Sequence, residues 1–186
     1  MTKFKRIDTS IKGLYIIEST IYGDKRGFFL ETYNKKEFKE IGIDIDFVQD
    51  NHSRSIRGTL RGLHFQKKHS QDKLVRVIKG EVFDVAVDLR ENSKTFGKWY
   101  GINLSEENKK QIFIPKGFAH GFLALSEIAE FTYKCSDYYY PEDEGGIIWN
   151  DEELNINWPV EGIENLIISE KDKKLGKFND WRKSRK

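Results

Sequence analysis

His64, Lys73, His120 and Tyr133 have side chains that can move a proton or hold charge beside a carbonyl group. The stretch "RGLHFQKKHSQDKLVRV" (61–77) places two of the chain's four histidines among arginines and lysines. A metal site, a solvated basic edge and a proton-transfer site all fit that mixture. A neutral imidazole suits proton abstraction near pH 7. A phenol is a useful donor only where a transition state gathers negative charge nearby. A lysine ammonium can stabilise a developing enolate oxygen.

Each of these residues also has a plain structural reading. A buried imidazole held by one backbone hydrogen bond is common, and packing alone favours tyrosine in a strand. Lys73, at the start of a β-branched run, fits a solvated sheet edge. Asp172 is most simply a helix-capping carboxylate; otherwise it orients His64 by accepting the imidazole hydrogen bond. Arg61 has the geometry for bidentate phosphate contact. Arg26 and Glu31, in "GDKRGFFLETY", are either ligand contacts or surface charges flanking a strand. His52 has less support, and His69 sits in the polar link "KKHSQD", where exposure is expected. The chain has no glycine-rich dinucleotide fingerprint and no P-loop.

The elements that must position these residues are mostly short strands. "KLVRVIKGEVFDVAVDL" reads as a hairpin turning at Lys79-Gly80, and "KWYGINL", "QIFIPKG", "HGFLAL" and "AEFTYKCS" follow as further strands. Alternation groups His120 with Phe122 and Ala124, and Tyr133 with Ala129, Phe131 and Cys135. Both therefore point inward. In "LRGLHFQ" it places His64 with Leu60, Gly62 and Gln66, and Arg61 on the opposite face with Leu63 and Phe65. Helical signal is confined to residues 34–42, with Asn34 as N-cap and Glu37 at the capping-box position, and to a start after Ser169 in "SEKD". Pro115 and Gly117 in "PKGFAHG" shape a turn leading to His120. The three tyrosines of "DYYYPEDEGGIIW" cannot all face inward. Some could stack on a flat ring, while others support the loop or a subunit contact.

Many short strands and few helices predict an antiparallel sandwich or small barrel. The 186 residues are most economically one domain, with 38% hydrophobic and 33% charged residues as in soluble globular chains. A net charge of +2 gives no argument for nucleic-acid binding, and the positive charge is concentrated in the last 16 residues. With Cys135 as the single cysteine, no intrachain disulfide or Cys-based zinc site can form. No stretch has the apolar length of a secretion signal or a membrane span, so the expected location is cytoplasmic.

The spacing in "PKGFAH" resembles the second motif of the cupin superfamily, which implies a jelly-roll barrel. The first motif of metal-binding cupins is poorly matched by "LHFQKKHSQDK", so no metal is expected. Longer blocks resemble the dTDP-4-dehydrorhamnose 3,5-epimerase family: "GDKRGFFLETY", "FVQDNHSRS", "LRGLHFQ", "SQDKLVRVIKGEVFDVAVDLR", "FIPKGFAHGFLAL", "EFTYKCSDYY", "GIIWND" and "ISEKD", over about residues 4–175. This resemblance implies a cofactor-independent epimerase acting at C3 and C5 of a dTDP-linked 4-keto-6-deoxy sugar. It implies a single mostly-β cupin-like domain over 1–186, with a few short peripheral helices and the C-terminal segment packed outside the barrel. A homodimer is implied too, in which the N-terminal segment helps build the partner's site.

Matched motif by motif, His64 resembles the base, Asp172 its partner, Tyr133 the opposite-face donor and Lys73 the group near the C4 oxygen. His120 resembles a residue lining the sugar and phosphate region. Arg26, Glu31, Gln49, Asn51, Arg61, Glu144 and Lys171 resemble substrate contacts. Lys67-Lys68, Asp72 and Gly145 depart from the family pattern while leaving the proposed chemical groups in place. The alternatives are an epimerase of one carbon or a ketoisomerase on a related sugar nucleotide, a metal-dependent cupin enzyme, and a noncatalytic sugar-nucleotide binding module.

Overall fold

The computed structural model describes residues 2–184. The chain begins with strands β1 (Phe4–Asp8) and β2 (Tyr15–Ser19), a small hairpin of β3 (Tyr22–Asp24) and β4 (Gly27–Phe29), and helix α1 (Lys35–Glu40). The barrel strands follow: β5 (Gln49–Ile56), β6 (Thr59–Gln66), β7 (Lys73–Lys79), β8 (Glu81–Asp88), β9 (Trp99–Ser105), β10 (Gln111–Ile114), β11 (Phe118–Ala124) and β12 (Ile128–Cys135). Short strands β13 (Glu144–Gly146) and β14 (Ile167–Ile168) and helix α2 (Phe178–Lys183) complete it.

Two sheets face each other, in the orders β1-β2-β10-β7-β12-β5 and β13-β6-β11-β8-β9. Pairing along both paths is antiparallel, and β14 adds to β6 in parallel. This is the expected jelly-roll arrangement. Between the sheets lies an apolar core including Val75, Val77, Ala86, Ile112, Phe122 and Phe131. A second cluster, with Leu63, Phe65, Val85, Trp158 and Phe178, covers the outside of the second sheet. Strand β11 is therefore buried on both faces along its whole length. Helix α1 covers the first sheet through Phe38, which packs with Phe4, Ile17 and Leu74. Among the described residues, no helix is long and apolar enough to cross a membrane.

Three local expectations are corrected. Strands β7 and β8 do not form a hairpin: β7 pairs with β10 and β12, β8 with β9 and β11. Gly80 (φ +71°) is a corner between sheets, and a Cβ there would collide with the Ile128 carbonyl oxygen. Its N–H donates to the Glu106 carboxylate, so the corner does not depend on cross-strand pairing. At α1, Asn34 caps the Glu37 N–H as expected. Glu37 does not complete the box, because its carboxylate turns to the Lys3 N–H at 2.6 Å. The helix expected after Ser169 is one 3-10 turn, Asp172–Lys174. Ser169 Oγ accepts from the Asp172 N–H, leaving the Asp172 carboxylate free to act elsewhere.

Candidate active site

A cavity of about 610 Å³ lies between the sheets. Strand β6 brings Arg61 and His64 to it, β7 brings Lys73, β11 brings His120, and β12 brings Tyr133. Asn51, His52 and Ser53 of β5, Thr59 of β6, and Ser169, Lys171 and Asp172 of the C-terminal segment add further polar lining, with His52 Nε2 3.3 Å from Glu130 Oε2. His64 and Tyr133 thus enter one space from opposite sheets.

Strand β6 departs from simple alternation. Arg61 faces Phe122 of β11 and His64 faces His120, so Gly62 and Leu63 stand opposite the single residue Gly121. This bulge turns the strand over, putting Arg61 and His64 on the same cavity and Leu60 with Leu63 and Phe65 in the outer cluster. The expected grouping of His64 with Leu60, and of Arg61 with Leu63 and Phe65, is therefore corrected. Gly62 has φ +116°, and a Cβ there would lie 2.6 Å from Gly121 Cα.

His64 Nε2 lies 2.7 Å from Asp172 Oδ1, and Asp172 Oδ2 accepts the Gly62 N–H at 3.3 Å. Burial acts to raise the Asp172 pKa, but the His64 contact and the other hydrogen bonds hold it below the ordinary carboxylate value. An ionised Asp172 accepts only, so the proton of neutral His64 sits on Nε2. Nδ1 keeps its lone pair and can receive a proton. The capping reading of Asp172 is thus replaced by the orienting one.

Lys73 is not at a sheet edge, because β7 runs between β10 and β12. Its Nζ lies 5.8 Å from the Tyr133 ring centroid. Burial lowers the Lys73 pKa, against the raising effects of Cys135, Asp84 and Glu144. Burial pushes the Tyr133 pKa up to about 12, with Arg61 as an opposing charge. Tyr133 is therefore a neutral phenol at physiological pH and has a proton to give. His120 Nε2 lies 2.8 Å from Asp84 Oδ2, inside the barrel. Asp84, fully buried on β8, was not singled out in the sequence; its one signal is a carboxylate inside the apolar run "EVFDVAVDL".

Glu144 does not line the cavity itself; its Oε2 accepts from the Tyr139 hydroxyl and from Nζ of the lining residue Lys171, each at 2.5 Å. Burial opposes ionisation of Glu144, but these two partners hold its pKa low. Gln49 bonds to Asn51 and accepts the Tyr139 N–H. Arg26 and Glu31 do not line the cavity. Arg26 pairs with Asp24 at 2.6 Å on the exposed hairpin, and Glu31 pairs with Lys3 at 3.0 Å. His69 is exposed, as expected, and stacks on Tyr140 at 4.0 Å.

A larger depression of about 1150 Å³, beside Trp181, contains none of the candidate site residues. Several of its polar groups already serve the protein: Arg90, Ser93 and Thr95 bind Asp88, and Ser70 accepts the Gly117 N–H. Among the described residues, no group of three or more His, Cys, Asp or Glu side chains could hold a metal ion.

Residues 8–180 match the family model described as dTDP-4-dehydrorhamnose 3,5-epimerase. The enzyme of that name from Methanothermobacter thermautotrophicus is 56% identical over 173 residues, covering 93% of this chain and 94% of that protein. The Escherichia coli enzyme of the same name is 56% identical over 171 residues, covering 91% of each. A Legionella pneumophila dTDP-6-deoxy-D-glucose-3,5-epimerase, crystallised with dTDP-4-keto-L-rhamnose, superposes with a TM-score of 0.91. It is 54% identical to this chain and covers 95% of it; the chain covers 93% of that structure.

Proposed function

The chain belongs to the dTDP-4-dehydrorhamnose 3,5-epimerase family, and we propose that the cavity between its sheets performs that reaction with His64 as base and Tyr133 as acid. The activity is that of an isomerase in dTDP-rhamnose biosynthesis. The substrate is a dTDP-linked 4-keto-6-deoxy sugar. The observation that carries the assignment of roles is the entry of His64 and Tyr133 into one cavity from opposite sheets.

The hydrogens at C3 and C5 both neighbour the C4 ketone, so one stabilised enolate type serves both abstractions. Neutral His64, held by Asp172, takes the proton on Nδ1. Lys73 holds negative charge on the C4 oxygen from within the low-dielectric barrel. Tyr133 returns a proton to the other face of the ring, and inversion follows. His120, fixed by Asp84, lines the sugar region. Arg61, Asn51, Gln49, Glu144 and Lys171 contact the substrate around the cavity and its mouth. The half-exposed Tyr139 ring, anchored through its hydroxyl, gives the thymine a face to stack on. Epimerisation through an enolate changes no oxidation state, so the chemistry calls for no redox cofactor.

The working unit in this reading is a homodimer of single-domain chains. The β3–β4 hairpin exposes Tyr22, Phe28 and Phe29 by 53%, 60% and 65%, an apolar surface suited to a second copy. Arg26 on that hairpin, and Glu31 beyond it, would then serve the partner's cavity.

Proton NMR of the keto sugar in heavy water tests the reaction. Incubation with the protein should place deuterium at both C3 and C5; label at one carbon only would indicate a single-site epimerase.

A further inference from the structure

The segment "DYYYPED" is irregular between Cys135 and a 3-10 turn at Pro141–Asp143, so its backbone needs partners outside a ladder. Glutamines supply them. Gln66 Nε2 donates to the Tyr138 carbonyl at 3.1 Å and to the His69 carbonyl at 3.2 Å, and its Oε1 accepts the Tyr140 N–H at 2.7 Å. Gln71 Nε2 donates to the carbonyls of Asp137 and Tyr138. Gln66 is buried, does not line the catalytic cavity, and has both N–H groups and its carbonyl engaged by backbone. Its bonds fall on the residues either side of Tyr139, which is 49% exposed and is linked through Glu144 to Lys171 of the cavity lining.

We propose that Gln66 is a positioning residue for nucleotide recognition: it clamps the backbone on both sides of Tyr139 and fixes the ring where the base stacks. Gln71 extends the clamp by one residue. The inference rests on the reading of Tyr139 as the base platform. A side chain acting this way lowers the cost of ordering the loop on binding and makes no contact with the reacting carbons. Its loss should weaken ground-state and transition-state binding equally, raising KM and leaving kcat unchanged.

The test combines Gln66→Met, Tyr139→Ala and the double variant. Binding of dTDP is measured by calorimetry, and solvent-deuterium exchange into the keto sugar is measured at low and saturating substrate. Gln66→Met should raise the dTDP Kd and the KM by about tenfold, the scale of one or two lost hydrogen bonds, with saturating exchange within about twofold of wild type. Tyr139→Ala should weaken dTDP comparably, and adding Gln66→Met to it should cost less than about twofold more. If Tyr139→Ala weakens dTDP but Gln66→Met does not, or if the two losses multiply, the positioning role is overturned while the platform stands. If Tyr139→Ala leaves dTDP affinity unchanged, the platform reading falls and the clamp with it. A fall in saturating exchange at unchanged KM also overturns the proposal. Should Gln66→Met fail to fold, Gln71→Met at the loop surface must show the same KM-only effect, about threefold, or the proposal is wrong.

Discussion

At the residue scale, the distinction between His64 and Tyr133 lies in what burial does to each. Asp172 keeps its charge because the His64 ring and the Gly62 N–H face it, and that charge fixes the imidazole tautomer. At Tyr133 burial outweighs the opposing charge of Arg61 and keeps the phenol protonated. Tyr133→Phe should therefore slow completed inversion by about 10²-fold or more while leaving solvent exchange at the His64 face nearly intact. Comparing deuterium wash-in with product formation checks this, and equal loss of both would remove Tyr133 as the donor. The depressed Asp172 pKa also has a stability consequence. A carboxylate whose folded pKa lies below its unfolded value stabilises the fold above the unfolded pKa, and that contribution disappears as pH falls through the folded one. Asp172→Asn should cost about 1–3 kcal/mol at pH 7, and the gap from wild type should shrink below about pH 4. Chemical denaturation at a series of pH values reads it directly.

At the element scale, strand alternation succeeded where the ladder is unbroken and failed where it is not. β11 pairs with β8 without a slip from Phe118 to Ala124, so His120 falls inward with Phe122, as its spacing implied. In β6 the bulge at Gly62–Leu63 reverses the faces, and the sequence marks it only by a glycine in mid-strand. Likewise Lys79-Gly80 has hairpin chemistry, but the partner of each strand is set by distant β10, β11 and β12, which no local pattern encodes. The chemical groups were legible because their types and motif spacing survive in sequence. The Asp84–His120 pair and the glutamine clamp were not, because they join residues far apart along the chain. The bulge itself is testable. Gly62→Ala would force a side chain into φ +116° and against Gly121, costing more than about 2 kcal/mol in denaturation. Exchange activity should fall further than the analogous change at Gly176, where a Cβ meets nothing within 4 Å.

At the scale of the whole molecule, the proposed base, acid and enolate-stabilising cation all come to the cavity from one chain, yet the expected substrate contacts Arg26 and Glu31 lie on and beyond the exposed hairpin and are paired elsewhere. Arg26 sits on a hairpin whose β3 and β4 residues are all exposed and which joins neither main sheet. In the proposed dimer a second copy would cover this exposed aromatic hairpin and carry Arg26 to the neighbouring cavity. Subunit complementation separates this arrangement from a decorative hairpin. His64→Ala homodimers should be inactive, and Arg26→Ala homodimers should show a KM raised by about tenfold, the scale of a lost charged contact. When the two are unfolded together and refolded, each mixed dimer pairs the intact His64 of one chain with the intact Arg26 of the other at one site. Its second site carries both defects. Low-substrate activity per intact His64 should then rise toward the wild-type value in the mixed dimers, several-fold above the Arg26→Ala homodimers. If Arg26 served its own chain's cavity, every intact His64 would remain in a cavity lacking that guanidinium, and mixing would restore nothing.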